Sequence, residues 1–419
     1  MSIAKAEESA AAAGAPLSAR AQGLRRFAVV ALLGTMTILT YGTTYYLLTI
    51  LAPAIVAETG WPLPLVVGGL SLGLLVSGLV SPWIGRRIEA RGGRAVLPLG
   101  CVTTALGLIL LSLADSLWLY GAAWILLGLG MAGCLYEAAF ASLGRQFGQR
   151  ARASITLLTL FGGFASTVCW PLSAAMESWL GWRGTCLVYA GALGTVALLV
   201  RLSLAPPPAV PAPQRTGEAG APEQAAPRPR VRRLWLLVVL GFCLALSASI
   251  TAVVSVHLVG LLDARGLGLA AAVAIGTLIG PSQVGARVLE YVLGRRLHPL
   301  WTLVVSTLLM ATGLGMLALG WGWIALAFVL YGSGVGLKSI VNGTVPLALI
   351  GPRGYATAIG RLAAPSLVMQ ALAPIGAAEL LRAGAEGAEA LLWTLAGCAL
   401  LNVLLGLLLL GAGRRQRAP

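Results

Sequence analysis

The sequence predicts an all-α membrane protein of twelve transmembrane helices in two pseudo-symmetric six-helix bundles. Three observations carry this. Of the 419 residues, 58% are hydrophobic and only 10% charged, against about 25% charged in a soluble domain. Apolar runs of about twenty residues, the length that crosses a hydrocarbon core, recur along the whole chain. And the first half of the sequence is echoed in the second.

The apolar segments are 27–52, 64–84, 95–114, 118–143, 154–176, 184–204, 234–262, 269–292, 300–319, 322–349, 356–380 and 390–411. They divide the chain into a tail (1–26), a six-helix bundle (27–204), a linker (205–233), a second bundle (234–411) and a short tail (412–419). Residues 1–26 are Ala-rich and carry Glu7 and Glu8. A secretory leader needs a basic start and a short apolar core, so a cytoplasmic tail is expected instead. The linker is rich in Pro and Ala around an RPRVRR run, a composition that cannot bury a core.

The formal charge of +15 suggests nucleic acid until its placement is read. The arginines sit in short loops on alternate sides of the apolar segments. One side holds Arg25, Arg26, Arg86, Arg87, Arg91, Arg94, Arg145, Arg150, Arg152, Arg228, Arg230, Arg232, Arg233, Arg295, Arg296, Arg353, Arg414, Arg415 and Arg417. The other holds Arg183, Arg265 and Arg382 among Glu58, Asp115, Glu177, Asp263, Glu379, Glu386 and Glu389. That asymmetry is the positive-inside pattern, and it puts both termini in the cytoplasm. No basic stripe with interleaved aromatics follows a phosphate backbone, so no nucleic-acid partner is expected. The six cysteines stand singly in apolar segments, as small buried hydrophobes do. No metal, cofactor or catalytic residue is expected. There is no HExxH, and GLSLG (69–73) lacks the strand–turn–helix setting and histidine partner of a hydrolase elbow.

The internal repeat is carried by two blocks. IGRRIEARGGR (84–94) aligns with GARVLEYVLGR (285–295) at an offset of 201, pairing Ser81 with Ser282, Glu89 with Glu290 and Gly93 with Gly294. RARASI…WP (150–171) aligns with RGYATA…AP (353–374) at 203, pairing Arg150 with Arg353, Ala153 with Ala356 and Pro171 with Pro374. A duplicated bundle places a binding site between the repeats, near mid-bilayer.

Gly85, Glu89, Arg91, Gly93 and Arg94 form a glycine–acid–arginine–glycine–arginine run in the loop after the second segment, and LGWR (180–183) precedes the sixth. On these motifs the chain resembles the major facilitator superfamily over all but its tail and linker. It uses Glu89 where Asp is usual and Ala90 where Arg is usual. YGTTYYLL (41–48), LYEAAFA (135–141) and the glycine-rich tenth segment resemble a bacterial branch distantly related to monocarboxylate porters. The monocarboxylate carriers' acidic–glycine–aromatic signature is missing from the first segment. The resemblance implies a bacterial inner-membrane transporter that works by alternating access, as a monomer in the lipid bilayer. The fourth-segment arginine typical of proton-coupled drug exporters falls at Trp124, and the fifth-segment antiporter pattern is reduced to CWPLSAA (169–175).

Gly69, Gly73, Ser77, Ser81 and Gly85 recur every four residues, one small-residue face along which another helix approaches closely. Ala270, Ala274, Ser282 and Ala286 repeat it in the eighth segment. The resemblance makes these faces a sliding gate. In the loop motif, Glu89 is expected to hold an arginine and latch the halves on the cytoplasmic side.

Charges inside the segments say most, since each costs roughly 3 kcal/mol to insert. Glu137 in the fourth segment and Lys338 in the tenth occupy one repeat position at the 201 offset. They are expected to face each other as an exchangeable pair, together when the cavity is empty. Lys338 is the anion-binding candidate. Glu137 is the proton-coupling candidate, because a carboxyl withdrawn from water can trade a proton near neutral pH. Tyr41 and Tyr45 share a face, Asn342 is one turn from Lys338, and Gln283 and Arg361 complete the candidate substrate-binding set. By the resemblance, the first, fourth, seventh and tenth segments line the cavity. Arg287 matches Arg86 in the repeat and reads as a cytoplasmic-end arginine, and His257 reads as a satisfied interfacial histidine.

The expected function is therefore secondary active transport of a small organic anion, coupled to protons. The alternatives are export of an amphipathic toxicant and, from another class, a transport-like membrane sensor. The orientation is testable by cysteine labelling. A cysteine at Ala221 should be reached only from the cytoplasm and one at Ala385 only from outside; labelling of both from one side would overturn the even number of spans.

Overall fold

The computed structural model describes residues 19–205, 230–263, 266–294 and 297–414. The terminal tails 1–18 and 415–419, nearly all of the linker, and Arg228, Arg265, Arg295 and Arg296 lie outside the described residues, as do the side chains of Arg230, Arg232, Arg233 and Arg414.

Every regular element among the described residues is helical. The first half comprises α1 (Ala19–Thr43), α2 (Leu47–Thr59), α3 (Leu63–Arg91), α4 (Gly93–Ser112), α5 (Leu117–Cys134), α6 (Tyr136–Phe147), α7 (Ala151–Gly163) and α8 (Ala165–Ser203). The second comprises α9 (Arg230–Asp263), α10 (Leu269–Gly276), α11 (Ile279–Leu293), α12 (Pro299–Ala318), α13 (Ile324–Ile350), α14 (Tyr355–Leu381) and α15 (Ala385–Arg414). These make ten stretches apolar enough to cross a membrane. One of them, Leu117–Ser203, holds three spans, because the chain turns back around Gly148 and again at Gly181. Twelve spans result.

The lipid solvent is written on the helix faces. On α4, Leu99, Val102, Leu106 and Ile109 are exposed at helical spacing, while Cys101, Thr104, Ala105 and Leu108 are buried. Large side chains outside and small ones inside are what helix packing in lipid requires. At the end of the molecule away from the arginine-rich loops, the LGWR turn has a structural role. Gly181 takes φ 68°, which separates the fifth and sixth spans. Trp182 donates to Glu58 Oε2 at 2.7 Å, and Arg183 pairs with Glu58 Oε1 at 2.9 Å.

Four spans are interrupted in mid-course. The first breaks between α1 and α2, where Tyr46 N reaches back five residues to Tyr41 O and Thr44 Oγ1 takes the carbonyl of Thr40. Hydroxyls that bond back to the preceding turn bend helices in this way. The fourth breaks at Leu135, whose ψ of −172° is extended, after the glycine-rich stretch that packs Gly133 onto Gly100. The fifth breaks at Phe164 and the eighth at Thr277–Leu278.

The halves meet along α3 and α14. Gly85 and Gly360 lie so close that a Cβ on either would strike backbone of the other helix, and Gly78 packs on Ala364 and Leu367. The small-residue face is shared between two partners: Gly69 and Gly73 lie instead under Trp124 of α5, inside their own half. Tyr355 lies fully buried over Gly144 of α6 and donates to Gly343 O at 2.7 Å.

Two charged groups join the halves at the arginine-rich end. Glu89 accepts from Gly354 N at 3.1 Å and Ala356 N at 3.0 Å, so its carboxylate caps the start of α14. Arg152 of α7 donates to Gly294 O at 2.8 Å and Leu297 O at 2.7 Å, just past the end of α11, and lies 3.7 Å from Glu290. An anion thus meets a helix N-terminus and a cation a helix C-terminus, the favourable sense in both cases. This corrects the expectation that the Glu89 carboxylate holds an arginine; the arginine at this residue, Arg145, donates instead to its backbone carbonyl at 3.2 Å. The carboxylate oxygens face unpaired N–H groups of the opposite half, while Arg91 is exposed and makes no bond among the described residues. Arg94 donates to Arg201 O at 3.1 Å, within its own half, and Gly93 packs against Ser142.

Glu89→Gln should leave the chain inserted but weaken this joint by about 1 kcal/mol, roughly a fivefold shift toward separated helix ends. Arg91→Ala should leave it unchanged. Distances between spin labels at Arg86 and Arg353 measure the joint; distributions for Glu89→Gln identical to those of the parent would show the two bonds to be idle.

Candidate functional site

The interruptions in the first and fourth spans set up one side of the site. The turn after α1 carries Tyr41, Tyr45 and Tyr46 inward. Tyr41 lies 5.0 Å from Tyr45, 6.4 Å from Tyr46 and 5.0 Å from Tyr136, centroid to centroid. Because Leu135 is extended, Tyr136 and Glu137 open a new helix rather than continue an old one. Glu137 therefore sits in a first helical turn, where its charge is best tolerated. It is partly buried, and its charge reaches Tyr41, Tyr45 and Tyr136.

The second half supplies the opposite charges. Lys338, 9% exposed, donates to Thr251 Oγ1 at 3.1 Å and Ser247 O at 3.3 Å, both on α9. Ser247 Oγ in turn accepts from Asn402 of α15 at 2.5 Å. Arg287 of α11 is 6% exposed. Its Nε donates to Ser339 Oγ at 2.9 Å and Gly336 O at 3.3 Å, and its Nη2 to Gln283 Oε1 at 3.3 Å. Gly336 allows this, because its missing Cβ lets the backbone of Gln283 lie against α13. Tyr45 bridges the halves, its hydroxyl donating to Gln370 Oε1 of α14 at 3.1 Å.

The structure thus sets Tyr41, Tyr45 and Glu137 on one side, with Tyr45 bonded across the joint, and holds Lys338 against α9 and Gln283 against α13 in the other half. The direct Glu137–Lys338 pair expected from the repeat is not made. No oxygen of Glu137 lies within 4.0 Å of Lys338 Nζ, although the two charges act on each other. The reason is local: Ser247 and Thr251 already occupy the ammonium, and the break at Leu135 holds Glu137 on the tyrosine side. Asn342 is partly buried, and its Oδ1 has no hydrogen-bond partner. Arg361 makes no bond to these residues. Its neighbour Gly360 is the residue turned onto α3, so Arg361, about 100° further round the helix, is exposed. His257 Nε2 lies 2.9 Å from Pro374 O and ties α9 to α14.

Sequence reasoning missed Tyr46, Tyr136, Gln370, Asn402 and above all Arg287. The repeat equates Arg287 with Arg86, yet Arg86 is exposed on α3 and Arg287 is buried against α13. The available signal was its position inside an apolar segment. An apolar pocket of about 170 Å³ among Leu258, Leu261, Leu314, Trp321, Phe328 and Leu392 contains none of these polar residues.

The fold is similar to that of the human organic anion transporter MFSD10 (TETRAN), with a TM-score of 0.72 at 17% identity over 91% of this chain and 99% of that one. It is also similar to FucP, a transporter solved in the outward conformation, with a TM-score of 0.66 at 15% identity over 92% of this chain and 99% of that one. None of the curated protein sequences matches. The sequence pattern of the Major Facilitator Superfamily matches residues 33–374, most of the chain, and with the twelve-span, two-half fold this establishes that the protein belongs to that superfamily of membrane transporters.

Proposed function

We propose that this protein is a secondary active transporter that works by alternating access, moves a small organic anion and couples it to protons. The observation that carries the reading is Lys338. It is a buried ammonium answered by a carbonyl and a hydroxyl of α9, in its own half, and by no carboxylate within 4.0 Å. An ammonium in that state is costly unless it recruits a negative charge. An exporter of amphipathic molecules would leave it without a task. Glu137, partly buried in the opposite half where the charge of Lys338 acts on it, is the group to carry the proton.

The joint between the halves supports the rocking motion. Glu89 and Arg152 act on helix ends, and such contacts can be broken and remade without exposing a packed core. The arginine-rich end is the cytoplasmic side in this reading. Gly85, Glu89, Arg91, Gly93 and Arg94 mark its gate, with Glu89 as the residue that bonds. The human neighbour, an organic anion transporter, shows that this architecture handles such cargo; the assignment here rests on the charges.

Lys338→Ala should lower organic-anion binding at least tenfold, about 1.4 kcal/mol, in purified protein. Normal binding in that variant would end the anion reading. Glu137→Gln should keep binding and exchange in proteoliposomes but lose accumulation driven by a pH gradient; accumulation at the parent's level would remove Glu137 from coupling. The Glu137→Gln, Lys338→Met double variant should melt no lower than either single variant, since no lone charge is left in the bundle. A lower melting temperature would make the two charges a structural pair.

A further inference from the structure

We propose that the cleft between the halves at the arginine-rich end binds a phosphoryl anion, supplied by an anionic phospholipid headgroup, and that filling it holds that end together. This is independent of what the protein transports. The cleft, of about 300 Å³, has Arg26, Arg150 and Arg152 on the side of the first half and Glu290, Tyr291 and Gly294 on the side of the second. Three guanidiniums therefore share one space with one carboxylate.

The bonds already made leave part of that charge unanswered. Arg152 gives its Nη atoms to the carbonyls of Gly294 and Leu297 and stands 3.7 Å from Glu290. Glu290 is occupied as well, accepting from Thr302 Oγ1 at 2.9 Å. Arg26 donates through Nε to Ser154 Oγ at 2.7 Å and through Nη2 to the carbonyl of Arg150, with its guanidinium 5.5 Å from the centre of the Phe147 ring. Its Nη1 makes no hydrogen bond among the described residues, and neither does the side chain of Arg150. No described carboxylate lies within 4.0 Å of either guanidinium. The bond to the Arg150 carbonyl fixes Arg26 beside a second cation whose charge acts on it. Like charges held together by the fold draw an anion between them. Guanidinium N–H forks match the oxygens of a phosphoryl group, which can accept from both.

The depth and flanks of the cleft favour a lipid as the source. Arg26 stands directly before the first apolar segment, and Arg150 and Arg152 just before the fifth, which is headgroup level. Beside the cleft wall on α11, Leu289, Val292 and Leu293 are exposed, as are Leu24 and Phe27 next to Arg26 on α1. Acyl chains can lie along these apolar flanks while the headgroup enters between them. Basic pockets between spans on the cytoplasmic side are where anionic headgroups dock. The choline of a zwitterionic lipid would bring a further cation to the arginines. Because the walls come from both halves, a ligand that fits them binds this joined arrangement in preference to a parted one.

The test uses the intact protein, spin-labelled at the exposed positions Arg25 and Leu293 on either side of the cleft. It is placed in nanodiscs of phosphatidylcholine, or of phosphatidylcholine mixed with phosphatidylglycerol. A soluble arm adds sodium phosphate to the phosphatidylcholine nanodiscs, against sodium chloride of equal ionic strength. Phosphatidylglycerol should raise the ratio of short to long distances about threefold or more. Arg150→Gln should abolish that response at an unchanged melting temperature, and Arg150→Lys should retain part of it. Arg86→Gln, which removes an exposed arginine of α3 at the same end but outside the cleft, should respond like the parent. A response to phosphate with none to phosphatidylglycerol keeps the anion site and overturns the lipid. No response in either arm overturns the site, without needing any variant. A response that survives in Arg150→Gln, or that Arg86→Gln loses equally, reduces it to the general attraction of a basic surface. Longer distances with phosphatidylglycerol would show that the anion parts the ends, which overturns the holding role.

Discussion

The close approach of α3 and α14 is the contact on which the rest of the architecture depends. Gly85 and Gly360 bring two helix backbones together, and lipid offers no hydrophobic force to hold helices that cannot touch. With those helices in contact, Glu89 reaches the N-terminus of α14, Tyr355 covers Gly144, and Tyr45 reaches Gln370. Each of these contacts joins the halves, and the glycine pair lets the two backbones come together between them.

The two charged joints at the arginine-rich end follow one physical rule by different means. The repeat pairs Glu89 with Glu290, but the two acids have different partners. Glu89 caps a helix start directly. Glu290 accepts from Thr302 and stands beside Arg152, whose guanidinium caps a helix end. Beside the second joint is a cleft of about 300 Å³ lined by Arg26, Arg150, Arg152 and Glu290. Symmetry of sequence has become complementarity of charge: an anion at one positive helix end, a cation at one negative end.

The broken spans connect this joint to the interior site. Tyr41, Tyr45 and Tyr46 face inward because the first span turns between α1 and α2, and Glu137 opens a helix because the fourth span stops at Leu135. Interrupted helices at membrane depth are tolerated where they line protein or a cavity, and they are where transporters of other designs bind their ions. In the second half the tenth span, α13, runs unbroken, and its polar residues are reached from α9 and α11. The two halves therefore carry different interior chemistry: an acid among aromatic rings in one, two buried cations in the other.

The number of spans and the duplicated halves were legible in the sequence, because the lengths of apolar runs and a repeat at one offset are one-dimensional signals. So was the intramembrane position of Glu137 and Lys338, since a charge inside an apolar run is visible without coordinates. What the sequence could not show is which atoms meet. Whether Glu89 holds an arginine or a helix end depends on where Gly354 and Ala356 lie, some 265 residues away. Whether Arg287 faces outward like Arg86 or inward depends on the packing of α11 against Gly336 and Gly163. And the surroundings of Arg361 are set by the rotation that seats Gly360 on α3 and leaves Arg361 exposed. A repeat fixes the order of the helices but not their rotation about their own axes, and in a helical membrane protein that rotation decides which charges reach the interior.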